Sequence, residues 1–306
     1  MMSKLVLVFP ILLSLAWGQY ERPGSTDAQF LKIDVTARSA GMGSAFISVP
    51  MGAEAAYYNP AALARIEKAS VVFNHTRWFA GISHNFASAA YTFGRMGTFA
   101  ASMTALYTDE MKVTTPLQPD GTGETFYSGN YRFGISYARI LTDHVTFGGS
   151  VNYINMSLYQ GFSASAYSGD IAVLYVTYFR NFRFGMKISN FGSDIKFVNE
   201  PYPLPTNFTF GLSMNAIERN NQKLLMSFSA VKPNDGQPLG QSGLEWSYRN
   251  TLFIRTGYRL NHGVASYSFG GGLAMHIGSY NLSANYAYSD FGLLGPAPRF
   301  GVDLNF

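Results

Sequence analysis

The 306-residue chain contains no cysteine, so disulfides and thiolate metal sites are both out of reach. Charge is also scarce: Asp, Glu, Lys and Arg make up 13% of residues, where soluble domains average about 25%. Beyond the first twenty residues there is no apolar run approaching the ~20 residues that a membrane-spanning helix needs. Lys and Arg number 22 against 18 Asp and Glu, but they form no cluster or stripe, so no nucleic-acid partner is expected. The five histidines (His75, His84, His144, His262 and His276) are scattered without metal-ligand spacing. No GxSxG elbow is present, and a His144–Ser150 pair has only residue type in its favour. Neither an enzyme nor a cofactor is expected.

What remains is 47% hydrophobic and 16% aromatic, spread thinly along the chain. The start is an exception. Lys4 precedes an apolar run from Leu5 to Leu15, and Ala16-Trp17-Gly18 places small residues where a signal peptidase cuts. Residues 1–18 are therefore expected to be a secretory signal peptide. From 19 to 68 small residues dominate without alternation. Asp34 is placed to cap a short helix through Ala40, and Ala53 to Tyr58 reads as a second helix limited by Pro60.

From 69 to 306 the period becomes two. Ala265, Tyr267, Phe269, Gly271, Leu273, Met275 and Ile277 alternate with small and polar residues. So do Phe99 to Tyr107 and Tyr280 to Tyr288. Such runs exceed the ~5–6 residues of a soluble strand and match the ~9–11 needed to cross a bilayer at a tilt. The expectation is an all-β transmembrane antiparallel barrel of about fourteen strands, apolar outside and polar inside, with residues 19–68 as an N-terminal plug. Tight connections, such as Arg95-Met96-Gly97 and Arg249-Asn250, alternate with longer ones at 76–82, 109–124, 158–165, 191–206, 232–240 and 289–297, with one exception at Asn261-His262-Gly263. That pattern predicts a bacterial outer-membrane location with both termini periplasmic. The last strand, Arg299 to Phe306, closes on an aromatic, with Phe306 as a candidate recognition signal for the barrel-assembly machinery. Outer-membrane lipids are the expected surroundings.

Thr36-Ala37-Arg38-Ser39-Ala40-Gly41-Met42-Gly43-Ser44-Ala45-Phe46, followed by Ala55-Ala56-Tyr57-Tyr58-Asn59-Pro60-Ala61-Ala62-Leu63, resembles the hatch of the FadL-type superfamily. Together with Phe30-Leu31-Lys32-Ile33 and the chain length, it more closely resembles the PorV/PorQ family. That resemblance implies a fourteen-stranded plugged barrel acting as a non-enzymatic accessory of type IX-like protein secretion, with a large translocon as partner. The superfamily-level alternative is passive transport of hydrophobic small molecules.

The candidate site residues follow. Gly41, Gly43, Asn59, Pro60 and Ala61 carry the plug motif. Glu54 and Asp34 are candidates to pair with basic side chains that alternation places on the inner wall. Those are Arg132, Arg183, Lys187, Arg249, Arg255, Arg259 and Arg299, with Asp170, Glu245 and Asp303 as wall acids. Unpaired charges in a narrow lumen are costly, which favours a structural role. Tyr202, among three prolines between Asn199 and Pro205, marks a pre-stiffened loop that could dock a partner. Aromatics at strand ends, including Trp78 and Tyr137, are expected in interfacial girdles.

Overall fold

A computed structural model describes residues 22–159, 161–264 and 266–306, so the signal-peptide expectation and Ala265 lie outside the described residues. The strands are β1 (Ala69–Arg77), β2 (Ser83–Thr92), β3 (Thr98–Tyr107), β4 (Met111–Lys112), β5 (Thr125–Phe126) and β6 (Gly129–Ile140). They continue as β7 (Val145–Tyr159), β8 (Phe162–Val176), β9 (Arg183–Gly192), β10 (Ile195–Lys196), β11 (Pro201–Tyr202) and β12 (Asn207–Arg219). The last six are β13 (Gln222–Pro233), β14 (Leu239–Tyr248), β15 (Leu252–Leu260), β16 (Tyr267–Ile277), β17 (Tyr280–Asp290) and β18 (Pro296–Asn305).

Fourteen of these close into one antiparallel barrel, in which β1 pairs with both β2 and β18. The remaining four form two small hairpins, β4–β5 and β10–β11, in the loops. Pleating sends alternate side chains to opposite faces. In β16, Tyr267, Phe269, Leu273 and Met275 are exposed on the outer wall, while Ser268, Gly272 and Ala274 are buried inside. The wall facing outward is therefore apolar, as a hydrocarbon surround requires.

The connections at the end bearing Ala69 and Asn305 are tight. Asn220-Asn221 and Arg249-Asn250 turn with both central residues at positive φ (49° and 65°; 54° and 52°), the conformation that matches the twist of a two-residue hairpin. This places Arg249 in an exposed turn, its guanidinium over the Tyr248 ring, and not on the inner wall. At the far end the connections expected at 76–82, 232–240 and 289–297 contract to 78–82, 234–238 and 291–295, and the one expected at 158–165 shortens most. Residues 158–165 form no long loop, because β7 and β8 run fifteen residues each and turn at once. Their extension is stabilised from inside: Ile154, Met156, Ala164 and Ala166 bury against Phe30, Leu31, Ile195 and Leu204. Upstream, the short β5 pairs with β4 before the barrel strand β6 begins at Gly129.

Residues 22–66 lie within the barrel and cross it. The short helix Ala37–Gly41 packs on β15 to β18, and the 3-10 turn Pro60–Arg65 packs on β6, β7 and β8 across the lumen. The first described residues sit at the far end, where the Asp27 amide donates to the Pro203 carbonyl. Phe306 sits at the opposite end, its amide donating to Ala69. The first described residues and Phe306 thus lie at opposite ends of the barrel.

Candidate functional site

The N-terminal segment is seated by close backbone contact. A side chain on Gly257 would overlap the Gly43 amide, and one on Gly43 (φ 62°) would come within 2.7 Å of the Tyr258 nitrogen. A β-carbon on Gly41 would lie 3.1 Å from the Gly270 Cα. Opposite, a β-carbon on Gly148 would meet the Ala61 nitrogen at 2.5 Å. Gly41 and Gly43 thus face Gly270 and Gly257, and Gly148 makes room for the Pro60-Ala61 backbone, which brings segment and wall together without side chains between them.

Wall side chains then satisfy the segment's polar backbone, as burial demands. The Ala37 amide donates to Asn74 Oδ1 (2.9 Å), Gly43 to Ser268 Oγ (3.0 Å) and Ala53 to Ser70 Oγ (2.8 Å). Helix Ala37–Gly41 is capped by Thr36, whose hydroxyl accepts from the Ser39 amide, and not by Asp34. Asp34 accepts instead from the hydroxyls of Ser39 and Ser44 and from Arg259 Nη2 (2.6 Å). Those wall and hydroxyl partners draw it away from the cap.

Asn59 joins the two halves of the motif. Its Oδ1 accepts from the Ala61 amide (3.1 Å), and its Nδ2 donates to the Ile47 carbonyl (2.8 Å), with the side chain fully buried. Pro60 takes the first position of the following turn, where its missing N–H costs nothing. In this geometry Asn59-Pro60-Ala61 fastens the segment together.

Charge is grouped around three acids. Glu245 receives a bidentate bond from Arg38 (2.9 and 2.8 Å) and a third bond from Arg255 Nε (2.6 Å). Arg38, which lies in the motif itself, is the partner that sequence reasoning missed, although its place beside Gly41 was visible. It also takes Glu54 (3.3 Å), so Glu54 pairs within the segment and not with the wall. Asp170 is shared by Arg132 (3.2 Å) and Lys187 (3.3 Å), and Asp34 pairs with Arg259. Arg183 makes no ion pair with a described residue. Its Nε donates to Asn181 Oδ1 (3.3 Å). Asp303 accepts from Ser283 (3.1 Å) and Asn285 (2.5 Å). Arg299 lies over the Trp78 ring, and Trp78 packs with Phe79 and Phe291 at the barrel mouth, so it is not part of an outer girdle.

Burial, reinforced by the Asp303 carboxylate and opposed by Arg38, pushes the Glu54 carboxyl up to about 7. A carboxyl raised in the folded state stabilises the fold fully below its ordinary value. That contribution is lost as pH rises through about 7. Melting temperature in detergent is expected to fall between about pH 5 and 7 and to level off above, and Glu54→Gln to flatten that fall. A profile identical in both proteins would refute the assignment.

At the far end, Asp235 holds the start of the segment, accepting from Lys32 Nζ (2.6 Å), Gln29 Nε2 (3.0 Å) and the Thr26 hydroxyl. Burial opposes its ionisation, but bonds from Lys32, Thr26 and Gln29 hold its carboxyl below the usual range. Its stabilisation is present above the ordinary carboxylate value and lost as pH falls through the lower folded one. Asp235→Asn is expected to speed amide exchange over residues 26–32 roughly tenfold, the equivalent of one charge-assisted bond. Unchanged exchange would show that the segment is held elsewhere.

Between the segment and the strands β9 and β12 to β15 lies a cavity of about 760 Å³ in the far half of the lumen. Leu31, Ile33, Ile47, Val231, Leu239 and the Tyr58 ring give it apolar wall. Thr209, Gln241, Asn207, Lys187, Arg132 and Arg259 add polar groups. His144 and Ser150 are not brought together: His144 Nδ1 meets the Val176 carbonyl and Ser150 Oγ meets Ser136 Oγ. Tyr202 is exposed in the β10–β11 hairpin, away from the cavity.

No family model matches the chain, and no curated protein matches it. Solved structures do. The toluene transporter TbuX of Ralstonia pickettii is similar at 16% identity and TM-score 0.57, over 88% of this chain and 96% of that one. The Pseudomonas putida toluene transporter TodX is similar at 13% identity and TM-score 0.61, over 89% and 97%. A Pseudomonas aeruginosa FadL homologue is similar at 10% identity and TM-score 0.55, over 89% and 98%. The fold is that of the FadL-like outer-membrane barrels.

Proposed function

We propose that this chain is a passive conduit that takes up small hydrophobic and amphiphilic molecules at the outer membrane. The cavity carries this reading. It is wide enough for a ligand of drug size, which pockets of roughly 300–1,000 Å³ accommodate, and it combines apolar wall with a few polar groups. The structures of similar fold are named as two toluene transporters and a monoaromatic hydrocarbon channel, which supports the same class of cargo. The far end, where the cavity lies, is taken to face outward and Phe306 the periplasm. No catalytic step is part of this reading.

The test is entry of a hydrophobic fluorescent probe, N-phenylnaphthylamine, into cells expressing the protein. Expression is expected to speed entry several-fold, and Thr209→Trp, which fills the cavity from β12, to abolish the gain. Equal entry with and without the protein would refute the conduit.

The PorV/PorQ-type secretion reading rests on the motifs within residues 30–63 and on the exposed Tyr202 hairpin. None of the structures named above is described as a secretion component. Cargo retained in the periplasm on deletion, with probe entry unchanged, would favour it over the conduit.

A further inference from the structure

At the end of the barrel where the turns are tight, the outer wall carries a groove of about 560 Å³ between the β2–β3 turn and β6. Arg95, Met96, Phe99, Tyr137 and Arg139 line it. The turn is fastened to the neighbouring strand. The Tyr137 hydroxyl donates to the Met96 carbonyl (2.8 Å), and a β-carbon on Gly97 (φ 104°) would lie 2.5 Å from the Ala138 carbonyl oxygen. Arg95 thereby lines the same groove as Arg139, which parity puts on the outward face of β6 with Phe133, Ile135 and Tyr137. The floor is aromatic. Phe99 and Tyr137 have ring centroids 4.9 Å apart, and Phe93 and Tyr91 extend the row at 5.7 and 4.8 Å.

Both arginines are exposed, and neither makes an ion pair, a hydrogen bond or a ring contact with a described residue. No acid lines the groove. A guanidinium on the lipid-facing wall is costly at the bilayer midplane and nearly free at the interface, so Arg139 marks the depth at which headgroups begin. The aromatic row belongs to the same depth. The charge of the rim points the same way. Among the described residues, exposed Lys and Arg at the tight-turn end outnumber its exposed acids, Glu67, Asp143 and Glu218. In the far-end loops the balance reverses, with Asp109, Glu110, Asp120 and Glu124 among the exposed acids. The complement of the tight-turn rim is therefore an anionic surface.

We propose that Arg95 and Arg139 bind the phosphate of an anionic glycerophospholipid in the periplasmic leaflet, with its first acyl carbons against Phe99, Tyr137 and Met96. A planar guanidinium gives paired N–H bonds to phosphate oxygens. Two of them, with no acid in the groove, favour a lipid of net negative charge over a zwitterion. The choice of leaflet rests on the orientation taken for the conduit, and the phosphate chemistry on the groove alone.

The full chain in detergent is presented with phosphatidylglycerol, phosphatidylcholine or lipid A, and bound lipid is counted by native mass spectrometry. Phosphatidylglycerol is expected to be retained at least about tenfold more than phosphatidylcholine of the same acyl chains, the worth of two basic side chains at an anionic surface. Arg95→Gln/Arg139→Gln is expected to erase that margin. Arg219→Gln, at an exposed arginine of the same end outside the groove, should leave it unchanged. Tyr137→Phe, which frees the turn but keeps both charges, should weaken it about threefold, the loss of one neutral hydrogen bond. Unaltered melting checks the fold of each variant. Equal retention of the two phospholipids by the native chain, or the same loss in Arg219→Gln, would overturn the site and leave the conduit standing. A margin untouched in Tyr137→Phe would mean that surface charge alone recruits the lipid, which overturns the site as well. Displacement of phosphatidylglycerol by an equal concentration of inorganic phosphate would overturn the lipid as occupant. Lipid A retained above phosphatidylglycerol, in dependence on both arginines, would overturn the leaflet and with it the orientation of the conduit.

Discussion

Glu245→Leu is expected to destabilise the folded barrel by about 3–5 kcal/mol, the cost of stranding buried charge. Glu245 is 6% exposed and accepts three bonds from two guanidinium groups, one on the N-terminal segment and one on β15. Leucine preserves most of the volume but leaves Arg255 with no ion-paired acid among the described residues and Arg38 with Glu54, whose carboxyl is itself pushed toward the neutral form. Arg38→Met should cost less, because Arg255 still neutralises Glu245. The double variant Arg38→Met/Glu245→Leu should recover part of the loss, since it removes one charge of each sign. Unfolding in lipid, followed by tryptophan fluorescence, reads all three. Additive losses would show that the pair does not couple segment to wall.

Gly257→Val is the second large effect, and it acts on the segment before the barrel. At Gly257 the wall and the backbone of Met42 and Gly43 occupy the space a side chain would need. Nothing flexible can give way, so either the segment lifts or β15 bends. Lifting is the cheaper course, because β15 is hydrogen-bonded along both edges to β14 and β16. The variant is expected to remain a barrel, to become sensitive to protease within residues 22–66, and to conduct ions more freely in planar bilayers. Gly43→Ala should show the same change in smaller measure, through its 2.7 Å approach to Tyr258 and its positive φ. Protease resistance and conductance equal to the native chain would mean that the glycine pairing does not seat the segment.

Much of the wall could be read from alternation, because a strand with lipid on one side and a lumen on the other repeats every two residues wherever it lies. Errors came where a third surface intervened. The β7–β8 hairpin continues beyond its expected ends because Phe30 and Leu31, more than a hundred residues away in sequence, cover its inner face. Arg249 alternates with inner-wall residues, yet the two-residue turn at Arg249-Asn250 takes it out of the strand.

The candidate charges divide in the same way. Arg132, Lys187, Arg255 and Arg259 could be assigned to the inner face by parity alone. Their partners could not, since an ion pair depends on which strands the closed barrel brings opposite each other and on where the segment lies between them. Glu54 therefore finds Arg38 in its own segment, and Asp34 leaves its expected helix cap for Arg259.

By itself the sequence determined the strand period, the inner and outer faces and the place where patterned strands begin. These follow from local sterics and from the polarity on each side of the wall. Only the tertiary structure decided which glycines touch, which acid each arginine meets, and which wall side chains satisfy the segment's amides. Those are distances between residues far apart in the chain, and they exist only once the barrel has closed around its N-terminal segment.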